Sequence, residues 1–229
     1  MKKCEGSKLP STFVVMEIEI WSDIACPFCY IGKRQLDLAL AELNLDTSYD
    51  IVWRSYQLDP NMETPPEGTT AYEYLAERKG FSLEQSIQAH EHVTRMAADH
   101  GLHYNFDKVI MCNTHKALLL VKKAQMLGKG SEVKEALFKA HFIDGINVDE
   151  DAALKSIAEE HEIQISDFDA EVVNDSKTLA QFKEDLALAK QIGMRGVPFF
   201  VFDRKLALSG AQGKEALMGA IEKAMSPVY

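Results

Sequence analysis

The sequence predicts an α/β fold in which one sheet domain, built from both ends of the chain, is interrupted by a large all-helical insertion. Strand patterns occur in residues 16–68 and 194–229, whereas residues 69–193 have helical patterns almost throughout. The helical stretch is far longer than an ordinary loop, so it needs a core of its own. We therefore predict a sheet domain from those two end segments, a helical insertion domain over 69–193 and an N-terminal extension over 1–15.

The first part of the sheet domain has a strand–helix–strand pattern. Glu17–Trp21 alternates polar and apolar residues, as a half-buried strand does. From Cys26 the apolar spacing becomes helical, and Tyr49–Tyr56 is rich in the aromatic and branched residues of a second strand. Two strands joined by a helix predict a parallel pair with a right-handed crossover.

The middle of the chain has repeated signals for helix starts and ends. Thr70 with Glu73, and Ser82 with Gln85, form capping boxes that open two helices. Further helices are predicted, with glycines at or near their ends, over His115–Leu127, Glu132–Phe142, Glu150–His161 and Lys177–Ile192.

The C-terminal part returns to strands. Pro198–Phe202 is a continuous apolar run of buried-strand character, and Leu206–Leu208 follows after a short turn, which predicts a hairpin. Lys214–Met225 reads as a last amphipathic helix.

Composition narrows the class of protein. The net charge of −10 argues against a nucleic-acid partner, and no apolar run is long enough to cross a bilayer. Residues 1–15 lack the apolar core of a secretory signal. With four cysteines, this chain has too few for a disulfide scaffold, so we expect a cytoplasmic protein in which a close cysteine pair is catalytic or metal-binding.

The chemistry is predicted to lie in Cys26-Pro27-Phe28-Cys29, which follows a strand and opens a helix. Free backbone N–H groups and the positive end of the helix dipole stabilise a thiolate at Cys26, while Pro27 suits the first helical turn. Such settings lower a cysteine pKa from about 8.5 to roughly 3.5–7.5. We predict Cys26 as the nucleophile and Cys29 as the cysteine that resolves the mixed disulfide.

The sequence allows two other interpretations of this pair. A zinc site needs a second cysteine pair or a suitably spaced histidine pair, and the sequence has neither, so we predict no metal. An inert structural pair is the other alternative. Gly196-Val197-Pro198 is a second signal, although by itself it fits a trans proline at the start of an edge strand.

Three segments carry a resemblance to a known family. Ser22–Lys33 resembles the active-site segment of the DsbA family, specifically its FrnE-like cytoplasmic subgroup. Gly193–Phe200, followed by Leu208–Gln212, resembles that subgroup's cis-proline segment and closing hairpin, and Leu137–Val148 resembles part of its helical domain. The match extends over residues 16–225 in the family's order.

The resemblance implies a thioredoxin-like fold interrupted by a helical domain. It implies a cis Val197–Pro198 bond lying against the cysteine pair, with Pro27, Phe28, Val197 and Pro198 forming the substrate-binding surface. The Val197 backbone would then pair with an extended substrate segment. No cofactor beyond the redox-active disulfide is implied, and the expected partners are protein thiols and disulfides or glutathione.

This sequence also departs from the resemblance. It lacks the second, C-terminal cysteine pair that some FrnE-like proteins carry, which argues against a two-motif relay. Cys112 is interpreted as a buried inert thiol, with a place near the active site as the alternative, and Cys4 as a residue without function. Asp23 and His115 are weaker candidates for moving protons at Cys29.

The function predicted from the sequence is therefore thiol–disulfide exchange or isomerisation on protein substrates. The motif does not encode the direction of exchange, since dithiol couples of this fold span about −270 to −120 mV. The alternative is a glutathione-dependent transferase or isomerase of the kappa-class or hydroxychromene-carboxylate isomerase type. Those relatives typically have a serine where Cys26 stands. The oligomeric state is left open.

Overall fold

The structure is a computed structural model that describes residues 16–45, 49–66 and 68–226. The predicted N-terminal extension, with Cys4, lies outside the described residues, and the predicted domain boundaries remain a prediction.

The described chain contains four strands and eight α-helices, with two short π-helical turns. In order they are β1 (Met16–Ser22), α1 (Pro27–Glu42), β2 (Tyr49–Ser55), α2 (Ala71–Lys79), α3 (Leu83–Ala98), α4 (His115–Met126), α5 (Gly130–Lys139), a π turn (Ala140–Asp144), α6 (Asp151–Glu160), a π turn (Asp169–Val173), α7 (Ser176–Ile192), β3 (Phe199–Phe202), β4 (Leu206–Ser209) and α8 (Lys214–Met225).

The strands form one mixed sheet in the order β2-β1-β3-β4. β1 and β2 are parallel, joined through α1, whereas β3 is antiparallel to both β1 and β4. Ile20 lies opposite Phe200 across the β1–β3 pair, and both are almost fully buried because they face the core between sheet and helices. The predicted parallel pair and the predicted hairpin are both confirmed.

The helices between β2 and β3 follow the predicted order. Both predicted capping boxes are present, at the starts of α2 and α3. The largest difference from the predicted bounds is at α5, which begins two residues earlier, at Gly130, and whose α-helical hydrogen bonding ends at Lys139. The chain then widens into the π turn, which Gly145 closes with a φ of 73°.

Side chains from the inserted helices occupy the outer edge of β2. Gln125 on α4 accepts a hydrogen bond from the Trp53 backbone N–H at 2.7 Å, and the Lys122 ammonium donates to the Trp53 carbonyl at 2.6 Å. Asp185 on α7 accepts from the Ser55 N–H at 2.7 Å. These contacts satisfy backbone groups that an open edge strand would leave to water.

The same region holds a buried charge network. Arg54 on β2 pairs with Glu19 at 2.6 Å and with Asp185 at 3.0 Å, and Asp185 also pairs with Lys122. Asp185 and Lys122 are 0% and 1% exposed, so each depends on the other for compensation of its charge. The network joins α4 and α7 to the sheet. None of the described helices is long and apolar enough to cross a membrane.

Candidate active site

The cysteine pair lies at the junction between β1 and α1. Cys26 occupies the N-cap position with an extended backbone, and Pro27 begins the helix. The Cys29 N–H donates to the Cys26 carbonyl at 3.0 Å, which places the two thiols one turn apart on the same side of the helix start. Both cysteines are free thiols, 3% and 2% exposed.

The loop before β3 lies against this pair. The Val197–Pro198 peptide bond is cis, as the resemblance implied, and the Cys26 thiol donates to the Val197 carbonyl at 3.4 Å. Gly32 permits this close approach, since a Cβ there would lie 3.0 Å from Pro198 Cγ and 3.2 Å from Phe200 Cζ. Two segments far apart in the chain thus meet at the sulfur of Cys26.

The residues between the cysteines face different surroundings. Phe28 is 40% exposed, so its ring is available to another molecule beside the cysteines. The Pro27 carbonyl accepts a hydrogen bond from the Tyr104 hydroxyl at 2.7 Å, which ties the start of α1 to the segment after α3. Pro27 therefore has a structural contact within the chain in addition to its predicted place at the substrate surface.

The two thiols titrate as an interacting pair. A hydrogen bond to Cys29 raises the pKa of Cys26, and burial raises it further. Burial also raises the pKa of Cys29, but the neighbouring Cys26 thiol, the Ser22 hydroxyl and the charge of Lys134 together outweigh it, so the net pKa of Cys29 is lowered. The sequence placed the lowered pKa on Cys26. In the structure, the Ser22 hydroxyl and the charge of Lys134 favour an anion at Cys29.

Asp23 lies in the turn before the pair, where its carbonyl accepts from the Cys26 N–H at 3.2 Å, and it is 1% exposed. Its carboxylate accepts hydrogen bonds from Thr114 Oγ1 at 2.6 Å and from the Leu58 N–H at 2.7 Å. Burial nevertheless raises the pKa of Asp23, which favours its protonated form. His115, the other candidate for proton transfer, packs its ring on Phe182 at 4.8 Å, and burial lowers its pKa.

Sequence reasoning missed two residues of the site. Ser22 ends β1 with a fully buried hydroxyl that forms no hydrogen bond with the described residues, yet it lowers the pKa of Cys29. Lys134 on α5 is 1% exposed and acts electrostatically on both cysteines. The available signal was Lys134 itself, a charged residue next to the apolar Val133 and one turn from Phe138.

Cys112 fits its predicted character as a buried thiol. It is 2% exposed, and burial raises its pKa to about 12, so it stays protonated and unreactive. Within the described ranges, no group of three or more His, Cys, Asp or Glu side chains is placed to hold a metal ion.

Comparison with known proteins identifies the family. The profile of the DSBA-like thioredoxin domain matches residues 17–222. The chain belongs to this family. The predicted thioredoxin-like fold with a helical insertion is thereby confirmed, and membership supports a thiol–disulfide oxidoreductase in the general sense. The FrnE-like subgroup is a finer assignment that this match does not make.

Three solved structures are similar to the chain. A probable DsbA oxidoreductase from Streptomyces coelicolor is 30% identical, with a TM-score of 0.84 and 93% of each chain covered. The cytosolic disulfide reductase DsbM from Pseudomonas aeruginosa, solved with glutathione, is 18% identical, with a TM-score of 0.61 over 90% of this chain and 98% of its own. A 2-hydroxychromene-2-carboxylate isomerase is 16% identical, with a TM-score of 0.63 over 90% and 95%. The last two similarities show the fold alone.

Proposed function

We propose that the protein catalyses dithiol–disulfide exchange on protein substrates, with Cys26 as the nucleophile and Cys29 as the resolving cysteine. The observation that carries the proposal is the meeting of two free thiols at the start of α1 with the cis Val197–Pro198 loop, where Cys26 Sγ lies 3.4 Å from the Val197 carbonyl.

In the reductive direction, Cys26 passes its proton to the Cys29 thiolate and attacks one sulfur of the substrate disulfide. A bond forms between Cys26 and that sulfur, and the other substrate sulfur leaves as a thiolate that takes up the proton held by Cys29. Cys29, ionised again, then attacks Cys26 Sγ. The Cys26–Cys29 bond forms, the second substrate thiolate is released, and two electrons have passed to the substrate.

The Val197 backbone and the Phe28 ring support a polypeptide substrate. Among the described residues, the weak S–H donor of Cys26 alone donates to the Val197 carbonyl in the resting site. A substrate strand that supplies an N–H would replace it, giving main-chain affinity with little demand on sequence. The exposed Phe28 ring adds an apolar contact beside the reacting sulfur.

Glutathione is proposed as a second thiol partner, in line with the structural similarity to DsbM. A cytoplasmic setting, the FrnE-like subgroup and the direction of reduction or isomerisation belong to the same proposal and rest on the sequence resemblance. No cofactor beyond the cysteine pair is proposed.

The test is an equilibrium titration of the thiol state in glutathione buffers. We expect one two-electron transition in the wild type and in Cys112→Ser, which removes a buried thiol of raised pKa, and none in Cys26→Ser. No reversible transition in the wild type would refute the proposal. Cys29→Ser should then accumulate a Cys26 mixed disulfide with a disulfide-bonded peptide, detectable by mass.

The glutathione-dependent isomerase or transferase is the second candidate, because the hydroxychromene-carboxylate isomerase shares the fold. It predicts turnover of a small molecule that survives Cys29→Ser while the wild type shows no dithiol cycling. The paired cysteines favour the redox assignment, since the resolving thiol has no role in activating glutathione for such a reaction.

A further inference from the structure

Lys134 is a buried cation without a counter-ion at its side. It is 1% exposed, and no described carboxylate lies within salt-bridge distance of its ammonium group. The other lysine buried to this degree, Lys122, is paired with Asp185 and donates to the Trp53 carbonyl. Burying an unpaired charge is costly, so a position like that of Lys134 needs a compensating anion.

Aromatic rings fix Lys134 next to the start of α1. Its Nζ lies 5.5 Å from the Trp53 ring centre and 5.0 Å from that of Phe138. Phe138 in turn stacks on Tyr30 at 5.0 Å, and Tyr30 is the residue after Cys29. Glu135, which follows Lys134 on α5, accepts hydrogen bonds from Tyr30 and Arg34, and these contacts hold α5 against α1.

A second unpartnered group, at the end of β1, also acts on Cys29. The Ser22 hydroxyl is fully buried and forms no hydrogen bond with any described residue. A buried hydroxyl without an acceptor is uncommon and calls for an explanation. A thiolate at Cys29 supplies both missing partners: an acceptor for the hydroxyl and a counter-charge for the ammonium.

We propose that Ser22 and Lys134 form a buried anion site around Cys29 Sγ, so that the inserted helix α5 supplies the charge that ionises the resolving cysteine. This inference rests on the proposed function and adds a positioning residue to it. The charged and titratable groups that act on Lys134 are Cys29 and Cys26 on α1, Asp23 in the preceding turn and Lys122 on α4.

The site acts on the second chemical step. Once Cys26 is joined to a substrate sulfur, Cys29 must lose its proton before it attacks Cys26 Sγ and expels the substrate thiolate. The ammonium and the hydroxyl stabilise the anion formed at that moment. Burial lowers the pKa of Lys134 to about 8, partly offset by the attraction of Cys29, so the lysine is still charged near neutral pH.

The test isolates Cys29 in a Cys4→Ser, Cys26→Ser, Cys112→Ser background and follows thiolate absorbance against pH. Lys134→Met should raise the pKa of Cys29 by about one unit, a tenfold loss of thiolate per unit. Lys134→Arg should keep most of the effect, and Ser22→Ala should give a smaller rise. Lys139→Met is the matched control, because Lys139 lies on the same helix but is exposed and pairs with Asp144.

The kinetic counterpart uses the chain with both active-site cysteines and oxidised glutathione. Lys134→Met should slow release of glutathione from the Cys26 mixed disulfide about tenfold, so that this intermediate accumulates, while Lys139→Met behaves as wild type. An unchanged Cys29 pKa in Lys134→Met overturns the inference. If that variant does not fold, Ser22→Ala decides: a raised Cys29 pKa supports the site, and an unchanged one overturns it.

Failure of the proposed function is seen separately. The Cys29 titration requires no redox cycling, whereas the proposed function fails when the wild-type pair shows no reversible transition in glutathione buffers.

Discussion

Gly32 on α1 determines how closely the helix approaches the cis-proline loop, and Gly32→Ala tests that contact. The added Cβ would lie 3.0 Å from Pro198 Cγ and 3.2 Å from Phe200 Cζ, closer than ordinary van der Waals contact. Overpacking of this kind costs about 1–3 kcal/mol, while replacing a helical glycine by alanine gains about 1 kcal/mol. The net loss of unfolding free energy is therefore expected to be about 0–2 kcal/mol.

The larger effect is expected on the rate of disulfide exchange. The side chain of Pro198 is a ring closed on its own backbone, so it cannot rotate away from the added Cβ. The loop itself must therefore move, and the Val197 carbonyl that faces Cys26 moves with it. A displacement of about 1 Å at a reacting centre can lower a rate by up to about 10²-fold. We expect Gly32→Ala to lose at least tenfold in exchange rate.

The assays are urea unfolding and the rate of reduction of a disulfide-bonded peptide. Gly219→Ala is the matched control, since Gly219 lies in α8 with nothing within 4 Å of the added Cβ. The control should gain about 0.5–1 kcal/mol and keep its rate. The reasoning is refuted when Gly32→Ala matches Gly219→Ala in both stability and rate.

Three further predictions concern buried polar groups. Asp185→Ala leaves Lys122 unpaired and should lower the free energy of unfolding, measured with urea, by about 3–5 kcal/mol. The double variant with Lys122→Met should recover part of that loss. Equal losses in the single and double variants would contradict this prediction. Burial lowers the pKa of His141 to about 4, so the unfolded chain binds the proton more readily below about pH 6.5. Stability should thus be constant above pH 6.5 and fall by about 2 kcal/mol by pH 5, an effect that His141→Phe removes and that parallel urea titrations detect. Tyr104→Phe removes the hydrogen bond to the Pro27 carbonyl and should cost about 0.5–1.5 kcal/mol, and an unchanged urea midpoint would count against it.

Local signals in the sequence predicted most of the backbone. The predicted helix Lys214–Met225 matches α8 residue for residue, and the capping box at Thr70 has both of its hydrogen bonds. These features depend on residues within one or two turns of each other, which a single sequence displays. The π turn after Lys139 was missed because helical periodicity does not distinguish one wide turn from a regular one.

Only part of the candidate site could be predicted, because a single sequence displays signals between neighbouring residues. Cys26 and Cys29 are neighbours in sequence, and Pro198 was found through a family resemblance. The anion-stabilising role of Lys134 depends on contacts with α1 across more than a hundred residues of chain, and no local pattern encodes them. Thr114 illustrates the same limit: it stands at the N-cap position of α4, yet its hydroxyl donates to Asp23, while Asn113 accepts from the His115 N–H.

The side chains along the outer edge of β2 make the inserted helices indispensable to the sheet. A shortened chain without them would leave the Trp53 and Ser55 backbone groups unpaired and Arg54 without Asp185. Such an edge is a template for pairing with other copies of the chain. The small sheet domain is thus protected from self-association by the segment that interrupts it, and any attempt to engineer a minimal enzyme would first have to find another cover for that strand.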